Sequence, residues 1–242
     1  MKIILNYSPN FNSIKRRKKQ IKFLIFHYTG MTRETDAIKR LTSVKSQVSS
    51  HYLIKKNGDI LVLVPDLYIA WHAGMSSWKN FKSLNNSSIG VEISNPGHRY
   101  KYKNFSTTQI KSILKLSKDL LKKYKIKPQN ILGHSDIAPK RKKDPGEKFP
   151  WELLARNKIS LWHSLSRSML KKNRKKKLYK IEIKNFYKNL MKIGYLNKYT
   201  KNYKFNIFVN KAFQRRFRQE LIDGKLDKEC LLISKNLVKK FS

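Results

Sequence analysis

The sequence predicts an α/β (α+β) fold, a mixed central β-sheet flanked by helices with a small all-α C-terminal domain behind it, and three observations carry that expectation. Short apolar stretches of strand length recur between residues 22 and 134, each bounded by turn residues and too short for a buried helix. Between the last two of them, residues 106–121 repeat their apolar positions at helical spacing instead. Beyond residue 177 only helical patterns remain. A chain of 242 residues has room for one sizeable core and a small second unit, since domains run to about 100–200 residues.

In chain order, a basic segment at residues 14–20 leads into Lys22-Phe-Leu-Ile-Phe-His27, a buried-strand pattern that ends on a histidine. Residues 35–43 have weak helical character. Residues 51–64 give two apolar runs around Asn57-Gly58, a dipeptide that favours positive φ at both central turn positions and so predicts a hairpin. Residues 88–94 alternate in the strand manner, set the Glu92 carboxylate inside an apolar run, and stop at Asn95-Pro96-Gly97. Ser106 with Gln109 three residues on is a capping box, after which Ile110, Ile113, Leu114, Leu120 and Leu121 share one helical face. Residues 130–134 form a further short strand ending on His134, and residues 140–149 a loop rich in Lys, Pro and Gly. Residues 166–177, dominated by Lys, Arg, Ser and Asn, have the composition of a solvated connector. The chain is therefore divided into a domain at 1–165, a basic linker at 166–177 and a second domain at 178–242. In that last part, residues 181–193, 206–217 and 227–238 are expected as three short helices, with Asp223-Gly224 as a turn.

Composition sets limits on function. Hydrophobic residues make up 40% of the chain, which excludes the low-hydrophobicity signature of disorder. The net charge of +40 is of a size that normally points to polyanions. Lysines, however, outnumber arginines several-fold and are spread from end to end, whereas base reading and phosphate clamping favour the planar fork of arginine. The charge is read as decoration of solvated faces, and no specific nucleic-acid partner is expected. The single cysteine, Cys230, excludes an intramolecular disulfide and a Cys-rich metal site. The apolar run Ile3 to Leu5 falls short of the roughly 7–15 residues of an export-signal core, and no stretch approaches the roughly 20 needed to span a bilayer. No transmembrane segment and a cytoplasmic location are the resulting expectations.

Among the six histidines, His27 and His134 stand at the ends of buried strands, where side chains from neighbouring strands converge. Asp144 lies in the loop that follows His134. Three such ligands with a vacant fourth position would make a catalytic rather than a structural zinc site. Spacing alone leaves open the plainer alternative of histidines satisfied within a core. His51, at the head of the hairpin, is expected to be structural, and His98 and His163 have no supporting context.

Five blocks sharpen the picture: Phe26-His27-Tyr28-Thr29, Trp71-His72-Ala73-Gly74, Ser88-Ile-Gly-Val-Glu92-Ile, Gly133-His134-Ser135-Asp136-Ile137-Ala138-Pro139 and Lys142-Lys143-Asp144-Pro145-Gly146. In this order, over residues 22–151, they resemble type 2 N-acetylmuramoyl-L-alanine amidases of the AmpD/AmiD kind. The resemblance implies the zinc amidase/peptidoglycan-recognition fold, Zn2+ on His27, His134 and Asp144, and Glu92 with Lys142 as the auxiliary catalytic pair. It also implies that Trp71, His72, Ala73 and Gly74 flank the substrate groove. The partners would be peptidoglycan or muropeptide fragments, cut between N-acetylmuramic acid (or its anhydro form) and L-alanine of the stem peptide, in peptidoglycan turnover or recycling.

The chemistry is consistent with that assignment. An amide is a poor electrophile, so its hydrolysis needs a strong nucleophile, which bound zinc supplies by lowering the pKa of its water to about 7. Glu92 in its apolar strand is expected to have a raised pKa and to shuttle the proton. Lys142 would face the developing oxyanion, and is chosen over Lys140 and Lys143 because it stands two before Asp144, as the family's lysine does. The alternative for the second block is that Trp71 is core and His72 a buried hydrogen-bonder. The C-terminal part resembles the small three-helix peptidoglycan-binding domain through Ala212-Phe213-Gln214-Arg215-Arg216-Phe217 and Asp223-Gly224-Lys225-Leu226-Asp227, with Cys230 where a small hydroxyl residue is expected. Two other functions compete with hydrolysis. A non-catalytic peptidoglycan-recognition protein typically lacks one metal ligand, and none is missing. A nucleic-acid-binding protein rests on charge alone, with Arg215, Arg216 and Arg218 either its patch or a solvated helix face.

Overall fold

The computed structural model describes residues 1–196, 198 and 202–240; of the segment 178–242, residues 197, 199–201 and 241–242 lie outside the described residues. Its main sheet has six strands, β1 (Ile3–Leu5), β2 (Phe23–Phe26), β3 (Tyr52–Ile54), β4 (Ile60–Val62), β5 (Ser88–Ile93) and β6 (Ile131–Gly133), in the order β1-β4-β3-β5-β2-β6. Strands β3, β5, β2 and β6 run parallel, β4 is antiparallel to β3, and β1 lies parallel to β4. Four neighbouring strands thus end at one edge of the sheet, the usual place for ligands in open sheets. The helices are α1 (Glu34–Thr42), α2 (Thr107–Tyr124), α3 (His134–Ile137), α4 (Trp151–Arg156), α5 (Arg167–Asn173), α6 (Lys180–Ile193), α7 (Tyr203–Phe217) and α8 (Lys228–Lys239).

Strand periodicity sorts the core into layers, because successive side chains point to opposite faces. Leu24, Phe26, Ile89, Val91, Ile93 and Ile131 share one apolar cluster with Ile113, Leu116 and Leu120 of α2 and Trp151 and Leu154 of α4. On the opposite face, Phe23, Ile25 and Leu132 join Phe186 and Leu190 of α6, Phe213 of α7 and Leu237 of α8 in another. Farther along that face, Leu53 and Leu61 meet Leu41 of α1. The C-terminal helices therefore form a third layer on the sheet. Helix α2 begins with the expected reciprocal cap, Gln109 N–H donating to the Ser106 hydroxyl at 3.2 Å and Ser106 N–H to Gln109 Oε1 at 3.0 Å.

Several local features differ from the sequence expectations. In the hairpin, positive φ is confined to Gly58 at +88°. Asn57 instead accepts the Asp59 N–H on its side-chain oxygen at 3.0 Å, while Gly58 N–H donates to Lys55 O at 3.0 Å, giving a longer loop in which only the glycine is left-handed. The stretch read as a solvated connector contains α5, capped by Ser166 and anchored by buried Leu170; Arg167, Lys171 and Lys172 are exposed, while Arg174 donates to the buried Glu229 carboxylate at 2.7 and 2.8 Å. The apolar run at Ile3–Leu5 is the edge strand β1, largely exposed. Among the described residues no helix is long and apolar enough to cross a membrane.

Candidate active site

His27 continues the Phe23/Ile25 alternation of β2 and so shares their face. Strand β6 is in register beside it, Gly133 opposite Phe26, which brings His134 to the same level one step past the strand. Asp144 arrives on a loop pinned in two ways. Ser135 N–H donates to Asp144 O at 2.8 Å, and Pro145 lies so close to Gly133 that a Cβ there would come within 2.7 Å of its Cδ. As a result Asp144 Oδ2 is 3.0 Å from Nδ1 of both His27 and His134, and the two Nδ1 atoms are 2.9 Å apart.

This triangle fits a metal ion. His134 donates from Nε2 to Ala73 O at 3.1 Å, and a neutral imidazole carries one N–H, so its Nδ1 presents a lone pair to the other two donors. A cation at the centre relieves the repulsion that three converging lone pairs would otherwise impose. A tetrahedral zinc ion with ligands at about 2.0–2.1 Å sets them about 3.3 Å apart, a few tenths of an ångström wider than the spacing here. Burial, reinforced by the neighbouring His134, lowers His27 to about 4, so it is neutral at physiological pH. The Asp144 carboxyl is buried, where a cation held at the centre would offset the cost of its charge.

A cavity of about 550 Å³ opens onto this cluster and is lined by His134, Asp144, Glu92, Lys142, Trp71 and His72 among others. Glu92 sits on β5 one pleat beyond Gly90, facing the cluster side while Ile89, Val91 and Ile93 face the α2 core. Its Oε2 is buried with no hydrogen-bond partner. Burial, with the Asp144 carboxylate second, pushes Glu92 up to about 8 against the pull of Lys142 and Arg40. Lys142 is half-buried whereas Lys140 and Lys143 are exposed, and its backbone is tied to Ala138 O at 3.0 Å. Lys143 also reaches the cavity wall.

Of the four residues expected beside a groove, Trp71 and His72 line the cavity. The Trp71 indole N–H donates to Asn12 Oδ1 at 2.7 Å, which fixes the ring. Ala73 is fully buried, its carbonyl accepting from His134 and, at 3.3 Å, from Arg141. Gly74 is exposed at φ +54° and stands off the cavity. His51 is buried against Arg16 and the Gly90 N–H.

Sequence reasoning missed other parts of the site. The Ala73 carbonyl that orients His134 is a backbone atom and leaves no side-chain signal. Arg40 and Arg141 line the cavity from positions whose spacing marks nothing. His98 bridges the Tyr28 hydroxyl at 2.9 Å and Glu147 at 3.0 Å, three positions scattered in the sequence. Arg215, Arg216 and Arg218 are each at most 7% exposed and face Glu147, Asp136 and Asp227 respectively. They form neither a surface patch nor a solvated helix face.

Comparison with known proteins agrees with this geometry. The family described as N-acetylmuramoyl-L-alanine amidase (Amidase_2) matches residues 17–147. N-acetylmuramoyl-L-alanine amidase AmiD of Escherichia coli is 35% identical over 234 residues, 92% of this chain and 84% of that protein. The 1,6-anhydro-N-acetylmuramyl-L-alanine amidase AmpD of Haemophilus influenzae is 39% identical over 107 residues, 44% of this chain and 56% of its own length. Among solved structures, E. coli AmiD in complex with anhydro-N-acetylmuramic acid-L-Ala-D-gamma-Glu-L-Lys superposes with a TM-score of 0.81 at 34% identity, covering 95% of this chain and 92% of that one. AmpDh3 of Pseudomonas aeruginosa in complex with anhydromuramic pentapeptide gives a TM-score of 0.81 at 30% identity, over 96% and 97% of the two chains. With more than half of its length matched by the family and a relative 35% identical over 92% of this chain, the chain belongs to the N-acetylmuramoyl-L-alanine amidases.

Proposed function

We propose that this protein hydrolyses the amide bond between N-acetylmuramic acid, including its anhydro form, and L-alanine of the stem peptide, with zinc held by His27, His134 and Asp144, in peptidoglycan turnover or recycling. The observation that carries this reading is the convergence of those three donors, 2.9–3.0 Å apart, in one cavity with a partnerless Glu92 carboxyl oxygen. Zinc supplies Lewis acidity when bound, polarising an amide carbonyl and acidifying water. Glu92, held at an elevated pKa, takes the proton of the attacking water and passes it to the departing nitrogen of L-alanine, the role for which a group titrating near the working pH is best suited. Lys142 sets a positive charge on the cavity wall, where negative charge grows on the scissile carbonyl oxygen. The Trp71 face and the cations Arg40 and Arg141 suit a sugar joined to a peptide that carries carboxylates. Residues 178–242 are read as a peptidoglycan-binding-like unit docked on the sheet.

The test is release of free stem peptide from anhydro-muropeptide, followed by mass spectrometry with zinc-loaded protein. Turnover that is lost in His134→Ala and on chelation is expected. No release from protein carrying one zinc per chain would overturn the proposal. Gly133→Ala is expected to push Pro145 and with it Asp144 out of place, weakening zinc at least about ten-fold in chelator competition without unfolding the protein; unchanged affinity would mean that the loop does not depend on this contact.

A further inference from the structure

We propose that His72 is a positioning residue: it dictates which ring nitrogen of His27 stays free of hydrogen, and thereby how tightly the site holds its metal. The inference rests on the reading of His27 as a ligand, and it follows from the direction of a chain of hydrogen bonds.

The chain starts at a group whose role is fixed. Leu84 O can only accept, and it lies 2.6 Å from the Ser88 hydroxyl, so Ser88 spends its one hydrogen there. Ser88 Oγ is also 3.1 Å from His72 Nε2 and must accept from it. His72 therefore carries its hydrogen on Nε2. A neutral imidazole carries one N–H, so His72 with its hydrogen on Nε2 presents a bare Nδ1, and among the described residues no carboxylate is hydrogen-bonded to the ring. That Nδ1 is 3.1 Å from His27 Nε2, which must donate to it. The hydrogen of His27 is thus held on Nε2, and its Nδ1 lone pair turns to His134 and Asp144. A ligand histidine whose far nitrogen donates to a fixed acceptor is oriented and made more basic. His134 obtains the same service from the Ala73 carbonyl, so the segment holding His72 and Ala73 governs both imidazole ligands.

The seat of His72 is built for this ring. A Cβ on Gly90 would fall 2.4 Å from His72 Cγ, so the ring lies flat on the strand only because residue 90 is glycine. Ser88, Gly90 and Glu92 share one face of β5, by the two-residue repeat of a strand. One strand face thus seats the proton chain and the Glu92 carboxyl.

The experiment compares His72→Leu, which removes the acceptor, with His72→Asn, whose Oδ1 stands near the position of Nδ1. Zinc affinity is read by competition with a chromophoric chelator, and ¹⁵N spectra of the histidines report which nitrogens carry hydrogen. The expected result is zinc binding about 10–100-fold weaker in His72→Leu, largely restored in His72→Asn, with His72 of the unaltered protein protonated on Nε2 alone. Ser88→Ala, which deletes the acceptor at the far end, is expected to give a smaller loss and mixed tautomers, and it decides the matter if the leucine variant does not fold. Hydrogen on His72 Nδ1, or full affinity in a folded His72→Leu, would overturn the inference. If the unaltered protein takes up no zinc, the proposed function fails instead, and the ¹⁵N spectra still decide the direction of the chain.

Discussion

Glu92→Gln is expected to lower kcat on anhydro-muropeptide about 10²–10⁴-fold, the usual worth of a general acid–base group, and at the same time to stabilise the zinc-free protein at neutral and mildly alkaline pH. The two effects share one cause. In the fold the Glu92 carboxyl titrates near 8, against an ordinary value of 4.5. Between those values the unfolded chain has released a proton that the folded chain still holds. Stability from this group is therefore complete below about pH 4.5 and is lost as pH rises toward 8, by at most about 1.4 kcal/mol per unit. Glutamine is neutral throughout and escapes that loss, so denaturant midpoints of the variant and the unaltered protein should diverge steadily from pH 5 to pH 8. With zinc bound the divergence should shrink, because a nearby cation favours the carboxylate. A constant gap across that range would show that Glu92 ionises normally in the fold, and an undiminished kcat would remove it from the chemistry.

The second large effect is expected at Arg216, far from the chemistry in sequence but joined to it in space. Its guanidinium donates to Asp136 Oδ2 at 2.7 Å and to Ile131 O at 2.8 Å and stacks 4.3 Å from the Trp151 ring. Asp136 also accepts from Gly133 N–H at 2.8 Å and from the Tyr195 hydroxyl at 2.6 Å. This pair therefore ties α7 to the turn that carries His134. Arg216→Ala leaves the Asp136 carboxylate buried beside two neutral donors, and breaking a buried pair in this way costs about 3–5 kcal/mol. Adding Asp136→Asn to that variant removes the uncompensated charge and should recover part of the loss. Urea unfolding of the two variants measures both; a loss below about 1 kcal/mol for Arg216→Ala would show the pair to be dispensable.

What could be read from the sequence divides along physical lines. Strands with strict alternation, such as Ser88–Ile93, and the capped helix at Thr107–Tyr124 declare themselves because their periodicity is local. His27 and His134 stand out as histidines at the ends of apolar strands, and Asp144 is legible because its motif block resembles that of the amidases. Their convergence depends on β2 and β6 being neighbours, which no local pattern states. The roles of Ala73 and Ser88 were invisible, since one acts through its carbonyl and the other through a hydroxyl like many others. The burial of Arg215, Arg216 and Arg218 has no local signature, because burial of a cation is decided by carboxylates such as Asp136 that lie far away along the chain. Residues 166–177 read as a connector because their anchors, Leu170 and the Arg174 guanidinium on Glu229, carry no local signal among so many charges.

The C-terminal helices and the strand that carries His27 rest on one apolar cluster. Among the described residues, the boundary between those helices and the sheet is therefore apolar where Phe23, Ile25 and Leu132 meet Phe186, Leu190 and Phe213. A version shortened before α6 would bare Phe23, Ile25 and Leu132 to solvent and invite clumping, so the last quarter of the polypeptide cannot be treated as a detachable cassette. Any wall polymer gripped by those helices would be held at a fixed orientation to the cutting edge rather than on a swinging arm.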